Sequence, residues 1–211
     1  MSLLQGIVSL FVVLFAITVH EASHGWAALK MGDPTAYHMG RITLNPLHHI
    51  DPIGTILLPL ILIIMGAPPF GWAKPVPVNP FNLRNPRRDN LLISAAGPGA
   101  NMLVAFAAYI GIQIIKGLAS VPGGGVTGAV SALYLILYYT VVINVILAVF
   151  NLIPIPPLDG SGVLMGLISE EAAQKYESLR PYGFLILLLL IMTGFVGRIL
   201  MAVLRIVDRF I

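Results

Sequence analysis

The stretch "FAITVHEASHGWAALK", residues 15–30, puts His20, Glu21 and His24 in the last third of a long apolar run. Ionisable groups are costly inside a bilayer and mark function there by default. The composition makes the bilayer the expected setting. Of 211 residues, 57% are hydrophobic and only 10% charged, against about 25% charged in an ordinary soluble domain. A chain of this length has no core large enough to hide so much apolar surface from water. The net charge of +3 gives no reason to expect a nucleic-acid partner, and none is expected. There is no cysteine, which excludes disulfides, iron–sulfur clusters and thiolate zinc sites. Any bound metal must be held by His, Asp or Glu.

Five apolar stretches follow one another, at about residues 3–31, 52–65, 91–118, 130–153 and 184–207. A spanning helix needs ~20 residues, so four qualify and 52–65, with Pro59 inside it, is marginal. The expected fold is an all-α polytopic membrane protein. It has four to five transmembrane helices, a re-entrant segment and short membrane-associated β-loops. It forms a single domain over 1–211, with a core at 3–165 and a C-terminal helix at about 184–207. The N-terminal run lacks a basic leader and is longer than a signal-peptide core, so it is read as a mature transmembrane segment.

Charge orients these segments. Lys30 and Arg41 follow the first, and Lys74, Arg84, Arg87 and Arg88 follow the second. The positive-inside rule places both loops in the cytoplasm. A second segment that dips in and returns, broken at Pro59, satisfies that; a plain fifth span is the alternative. The third segment then runs outward to "SVPGGGVTG", residues 120–128, and the fourth returns, leaving Lys175 and Arg180 inside. Arg205 and Arg209 fall outside, against the rule.

Two loops read as extended. "TAYHMGRITLNP", residues 35–46, alternates loosely and suits a hairpin. In "WAKPVPVNP", residues 72–80, Pro75 and Pro77 remove the amides of one edge, while Val76 and Val78 keep theirs for the other. Such a strand can pair with a second peptide on one side; a Pro-rich connector is the alternative.

His20, Glu21 and His24 form H-E-x-x-H. On a helix, i and i+4 share a face one turn apart, so two imidazoles there can take one metal ion. The intervening carboxylate stays beside the ion, free to act as a base. At 1.5 Å per residue, His24 lies ~9 Å short of the surface anchor Lys30, and His20 ~6 Å deeper. Zinc needs a third protein ligand. His38, His48, His49 and Asp51 in the following loop are candidates, and so is Asp159 in "NLIPIPPLDGSGVL", residues 151–164. There Pro154, Pro156 and Pro157 end the fourth helix, leaving Asp159 as either a ligand or the cap of a short helix. A carboxylate suits a low-dielectric site better than a third neutral His, because the ion then carries less uncompensated charge. His48 and His49 are expected at the water interface.

Taken together, three stretches resemble the site-2 protease family of intramembrane zinc metalloproteases, in its compact bacterial or archaeal form without PDZ or CBS domains. "HEASH" resembles the family's H-E-x-x-H. "AAGPGAN", residues 95–101, is similar to its G-P-x-x-N element, and "NLIPIPPLDG", residues 151–160, to its N-x-x-P…L-D-G element. The resemblance spans about residues 3–165. It implies one zinc ion per chain held by His20, His24 and Asp159, with Glu21 as the catalytic base that assists attack of zinc-bound water. It implies Asn151 and Asn101 near the substrate backbone, interhelical hydrogen bonding being the alternative for both, and it favours a substrate-pairing loop at 35–46 or 72–80. The implied activity is hydrolysis of peptide bonds within or near the transmembrane segments of single-span proteins. The implied place is the cytoplasmic membrane, with the site toward the cytoplasmic side. A membrane transporter using the same His/Glu/Asp cluster is the rival reading; it gives no reason for the spacing of the histidines. A catalytically inactive binding scaffold is a second rival, against which Glu21 argues.

Overall fold

The computed structural model describes residues 3–65, 71–119 and 128–211. The loop "SVPGGGVTG" therefore lies, except for Gly128, outside the described residues. Three helices are long and apolar enough to cross a membrane: α1 (Leu3–Met31), α4 (Pro86–Ala119) and α5 (Gly128–Asn151). Between them lie α2 (Thr35–His38) and α3 (Leu58–Ile64); α6 (Asp159–Leu167), α7 (Glu170–Glu177), α8 (Gly183–Met192) and α9 (Phe195–Phe210) follow. The long helices follow the apolar runs, α4 continuing through an interior proline at Pro98, and their few hydroxyls are satisfied locally. Thr18 donates to the Leu14 carbonyl and Ser23 to that of Val19, each at 2.7 Å.

The bundle closes through small residues. Ala16, Ala27, Ala28, Ala105, Ala108 and Ala148 are all buried, which lets backbones approach where lipid offers no hydrophobic drive for helix association. One core cluster joins Ala105, Ala108 and Ile112 of α4 to Val141 and Val145 of α5, with Val203 and Val207 of α9 against it. Many large apolar side chains on the outside, such as Phe11, Leu103 and Phe106, are exposed, as lipid-facing positions should be.

The C-terminal apolar stretch differs from the continuous helix expected at 184–207. It is a bent pair: the segments 180–192 and 195–210 meet at 65°. The cause is Gly194, at φ 72°, which caps α9 in a left-handed conformation that few other residues accept. Among the described residues, three helices are thus long and apolar enough to cross a membrane, or four if the bent pair is one span.

The marginal segment begins as a π-helical turn at Pro52–Leu57 and continues into α3, which ends short of a span. Its two flanks touch. The Trp72 amide donates to the Gly54 carbonyl (3.1 Å) and the Thr55 hydroxyl to that of Trp72 (2.9 Å).

No β-ladder forms among the described residues, contrary to the expected β-loops. Residues 35–38 are a helical turn, not one arm of a hairpin, because buried Asp33 captures the amide and hydroxyl of Thr35. Residues 72–80 run without helix or ladder until Pro80. Their amides go instead to scattered acceptors: Lys74 to the His49 carbonyl, Val76 to Glu21 and Asn79 to Asp33.

Candidate metal centre

His20 and His24 sit one turn apart on α1, both buried, with ring centroids 4.7 Å apart. Asp159 reaches them from the chain break after α5. Helix α5 stops at Asn151, before the prolines at 154, 156 and 157, and Asp159 is the first residue of α6. The cap position belongs to Leu158, with no side-chain capping bond. The Asp159 carboxylate turns instead toward α1, its Oδ2 lying 3.0 Å from His20 Nε2 and 3.3 Å from His24 Nε2. The carboxylate thus does not cap α6 and instead joins the two histidines in a group that could hold a metal ion.

Hydrogen bonding behind the two rings decides which nitrogens face inward. His24 Nδ1 is 2.7 Å from the Ile93 carbonyl, which only accepts, so Nδ1 carries the proton. His20 Nδ1 is 2.6 Å from Asn101 Oδ1. The Asn101 amide nitrogen donates to the Ala16 carbonyl and to Asn144 Oδ1, so its oxygen is the acceptor and His20 Nδ1 is again the donor. In the neutral imidazoles both Nε2 atoms are then lone pairs, and they face a third on Asp159 Oδ2, itself buried without a hydrogen-bond donor.

Three buried lone pairs pointing at one another are unfavourable unless a cation lies between them. His20, His24 and Asp159 are the one group of three potential ligands brought together among the described residues, their ligating atoms within 4.8 Å of one another. In a tetrahedral zinc site with bonds of ~2.0 Å, neighbouring ligand atoms are about 3.3 Å apart. The observed 3.0 and 3.3 Å from Asp159 Oδ2 to the two histidines are close to two edges of such a tetrahedron. Gly97 of α4 completes the fit. A Cβ there would press on His24 Nε2 and come within 2.7 Å of His20 Nε2 and Cε1, on the side where the ion must sit.

Two His and one carboxylate preset around a single ion, with a carboxylate alongside, are the ligand chemistry of metal-dependent hydrolases. The likeness to known proteins agrees. The model of peptidase family M50, the site-2 protease family, matches residues 8–193. The chain belongs to that family. It is 35% identical to the Bacillus subtilis protein named "Putative zinc metalloprotease YwhC", over 92% of this chain and 83% of that one. It is 29% identical to "Putative zinc metalloprotease Rip2" of Mycolicibacterium smegmatis, over 88% of this chain and 66% of the relative. It is 32% identical to "Putative zinc metalloprotease MJ0611" of Methanocaldococcus jannaschii, over 77% and 72%. No solved structure matches the chain at a significant level. As an M50 peptidase with apolar spanning helices, it is a membrane metalloprotease.

The other residues singled out in the sequence are placed as follows. Glu21 lines the same cavity as the ligand triad, and its Oε2 accepts from the Val76 amide at 3.1 Å. That cavity, of about 960 Å³, is bounded by apolar residues of α1, α5 and α8 and by Val76 and Val78. Asn151 also lines it; its amide nitrogen is bonded to the Leu147 carbonyl, and Oδ1 has no partner among the described residues. Asn101 does not. It is completely buried behind His20, with its amide hydrogens on α1 and α5, the interhelical alternative rather than a place beside a substrate. His38 and His48 are exposed. His49, expected at the interface, is buried, with Nε2 bonded to the Thr43 carbonyl. Asp51 caps the π-helical turn by accepting from the amides of Ile53 and Gly54. None of these four joins the triad.

Sequence reasoning missed Asn144, which is buried on α5 and bonded to Asn101, and Asn90 and Ser94, which line the cavity from α4. A signal for Asn144 existed: it is a lone amide in a strongly apolar run, two turns before Asn151 and on the same face.

Proposed function

We propose that the chain is an intramembrane zinc endopeptidase that hydrolyses peptide bonds within or near the transmembrane segments of single-span membrane proteins. The observation that carries this is the convergence of His20, His24 and Asp159 beside Glu21 in one cavity of an apolar helix bundle. One zinc ion per chain, held by these three residues, would supply Lewis-acid activation of a water and of the scissile carbonyl. Glu21 acts as the base: its carboxylate takes the proton of the attacking water and passes it to the leaving amine. The Val76 amide, now donating to Glu21 Oε2, orients that carboxylate.

A substrate helix satisfies its own backbone bonds, so it must unwind before cleavage. The cavity offers compensation. Asn151 Oδ1 can accept from a substrate amide, and the Val78 amide carries no hydrogen bond among the described residues. Backbone pairing along residues 72–80 would offset part of the lost helix bonds. The triad sits in the half of α1 nearer Lys30. Together with the positive-inside rule for the basic loops, this supports a site toward the cytoplasmic face of a bacterial or archaeal membrane.

The test is a comparison of cleaved membrane proteins in cells making the wild type or Glu21→Gln. New cleavage sites in transmembrane segments are expected with the wild type alone, while both proteins hold equal zinc. Identical cleavage in both would end the protease reading.

A further inference from the structure

We infer that Asn144 is a positioning residue for the metal centre: through Asn101 it sets the tautomer and orientation of His20. The inference rests on the zinc reading, and it starts from a buried relay that no cavity wall reaches. Asn144 and Asn101 are both completely buried, at 0% exposure, and neither borders the cavity that holds Glu21 and Asp159. Neither is placed to touch a molecule in that cavity, so an effect on the site must pass through His20.

The relay has one direction. The Asn144 amide nitrogen donates to the Thr140 carbonyl at 2.8 Å. A main-chain carbonyl only accepts, so this fixes Oδ1 as the atom that faces Asn101. Asn101 therefore presents its amide nitrogen to Asn144, at 2.8 Å, and the same nitrogen donates to the Ala16 carbonyl at 3.0 Å. Both amide hydrogens are spent. Only Oδ1 remains for His20, at 2.6 Å, and an oxygen with no hydrogen to give requires the proton on His20 Nδ1. The lone pair is then on Nε2, facing Asp159.

Two carbonyls on different helices, Ala16 on α1 and Thr140 on α5, thus anchor an amide chain whose last link is a metal ligand. Without Asn144, one Asn101 hydrogen is left unpaired in the core, at a cost. Rotation of the amide then becomes a way to recover a bond. A rotated Asn101 would offer nitrogen to His20, favouring the tautomer with its proton on Nε2, where the ion must bind. Outer partners of this kind typically tune metal affinity by roughly 10- to 100-fold. Asn144 as mere interhelical glue would predict something else: lower stability with unchanged metal affinity.

The experiment uses the full chain in detergent. Zinc affinity is measured by competition with a chromophoric chelator for the wild type, Asn144→Leu and Val141→Ala. Val141→Ala trims the same α4–α5 contact without touching the relay. Roughly 10- to 100-fold weaker zinc binding is expected for Asn144→Leu, and unchanged affinity with a lowered melting temperature for Val141→Ala. Equal affinity in Asn144→Leu and wild type, or a parallel loss in both variants, overturns the inference.

A second arm needs no zinc and leaves the relay itself unaltered. In the metal-free wild type labelled with 15N-histidine, His20 should show the Nδ1-protonated tautomer, its signals being assigned by their absence in His20→Gln. A predominant Nε2-protonated form overturns the inference. A wild type that binds no zinc but shows the Nδ1 tautomer overturns the zinc reading and leaves the relay standing.

Discussion

Asp159 Oδ2 lies 3.0 Å from His20 Nε2, and in the neutral imidazole that donates from Nδ1 to Asn101 neither atom has a hydrogen to give the other. In that state two acceptors meet with no hydrogen between them, an arrangement that a bound cation would relieve. The two residues come from opposite ends of the core, one from the middle of a spanning helix and the other from a proline-made break.

The open side of that contact is guarded by a missing side chain. Gly97→Ala places a methyl group against His24 Nε2 and His20 Nε2. Backbone on α4 cannot retreat easily from a packed interface. Zinc affinity should fall by roughly tenfold or more, the scale of other disturbances to ligand geometry, with helix content by circular dichroism unchanged. Wild-type affinity in Gly97→Ala would mean that the ion lies elsewhere.

The segment over the site is clamped from outside the cavity. Buried Arg41 donates from Nη2 to the carbonyls of Lys74 (2.6 Å) and Pro75 (3.3 Å), which aims the Val76 amide at Glu21. Arg41→Met strands both carbonyls at a cost of about 1–3 kcal/mol for the lost partner. Hydrogen exchange of a peptide spanning residues 72–80 should speed up, Val76 included, while zinc content stays at the wild-type level. Unchanged exchange would show that the clamp is not what holds the segment.

Asp33 gives a pH signature outside the spanning helices. Burial pushes its carboxyl upward, but bonds from the Asn82 and Thr35 side chains and the Asn79 and Thr35 amides outweigh this and hold it below its ordinary value of 3.8. A carboxyl depressed on folding contributes stability that is present in full above its unfolded value and is lost as pH falls through the folded one. Asp33→Asn should therefore lower the melting temperature at pH 7, and the gap to wild type should close on acidification below pH ~4. A gap that is the same at both pH values would show that the charge of Asp33 does not matter.

The parts of the site that follow from helix periodicity were legible in the sequence. His20, Glu21 and His24 need only 3.6 residues per turn to be placed, and the prolines after Asn151 end α5 wherever they occur. Asp159 was legible as a choice between two roles, because composition around a break does not say which way a carboxylate turns. The bend at Gly194 was hidden because averaged hydropathy ignores a single left-handed glycine. The hairpin expected at 35–46 failed because Asp33, just upstream, competes for the Thr35 amide. Asn144 and the true place of Asn101 depend on which helix faces which, and a pattern within one segment carries no such information.

The most direct measurement is zinc bound per chain at equilibrium in purified wild type and in Asp159→Ala. The account predicts one ion per chain in the wild type and near-complete loss in the variant, with helix content retained. Full zinc content in Asp159→Ala would contradict it, and would take the third ligand away from α6.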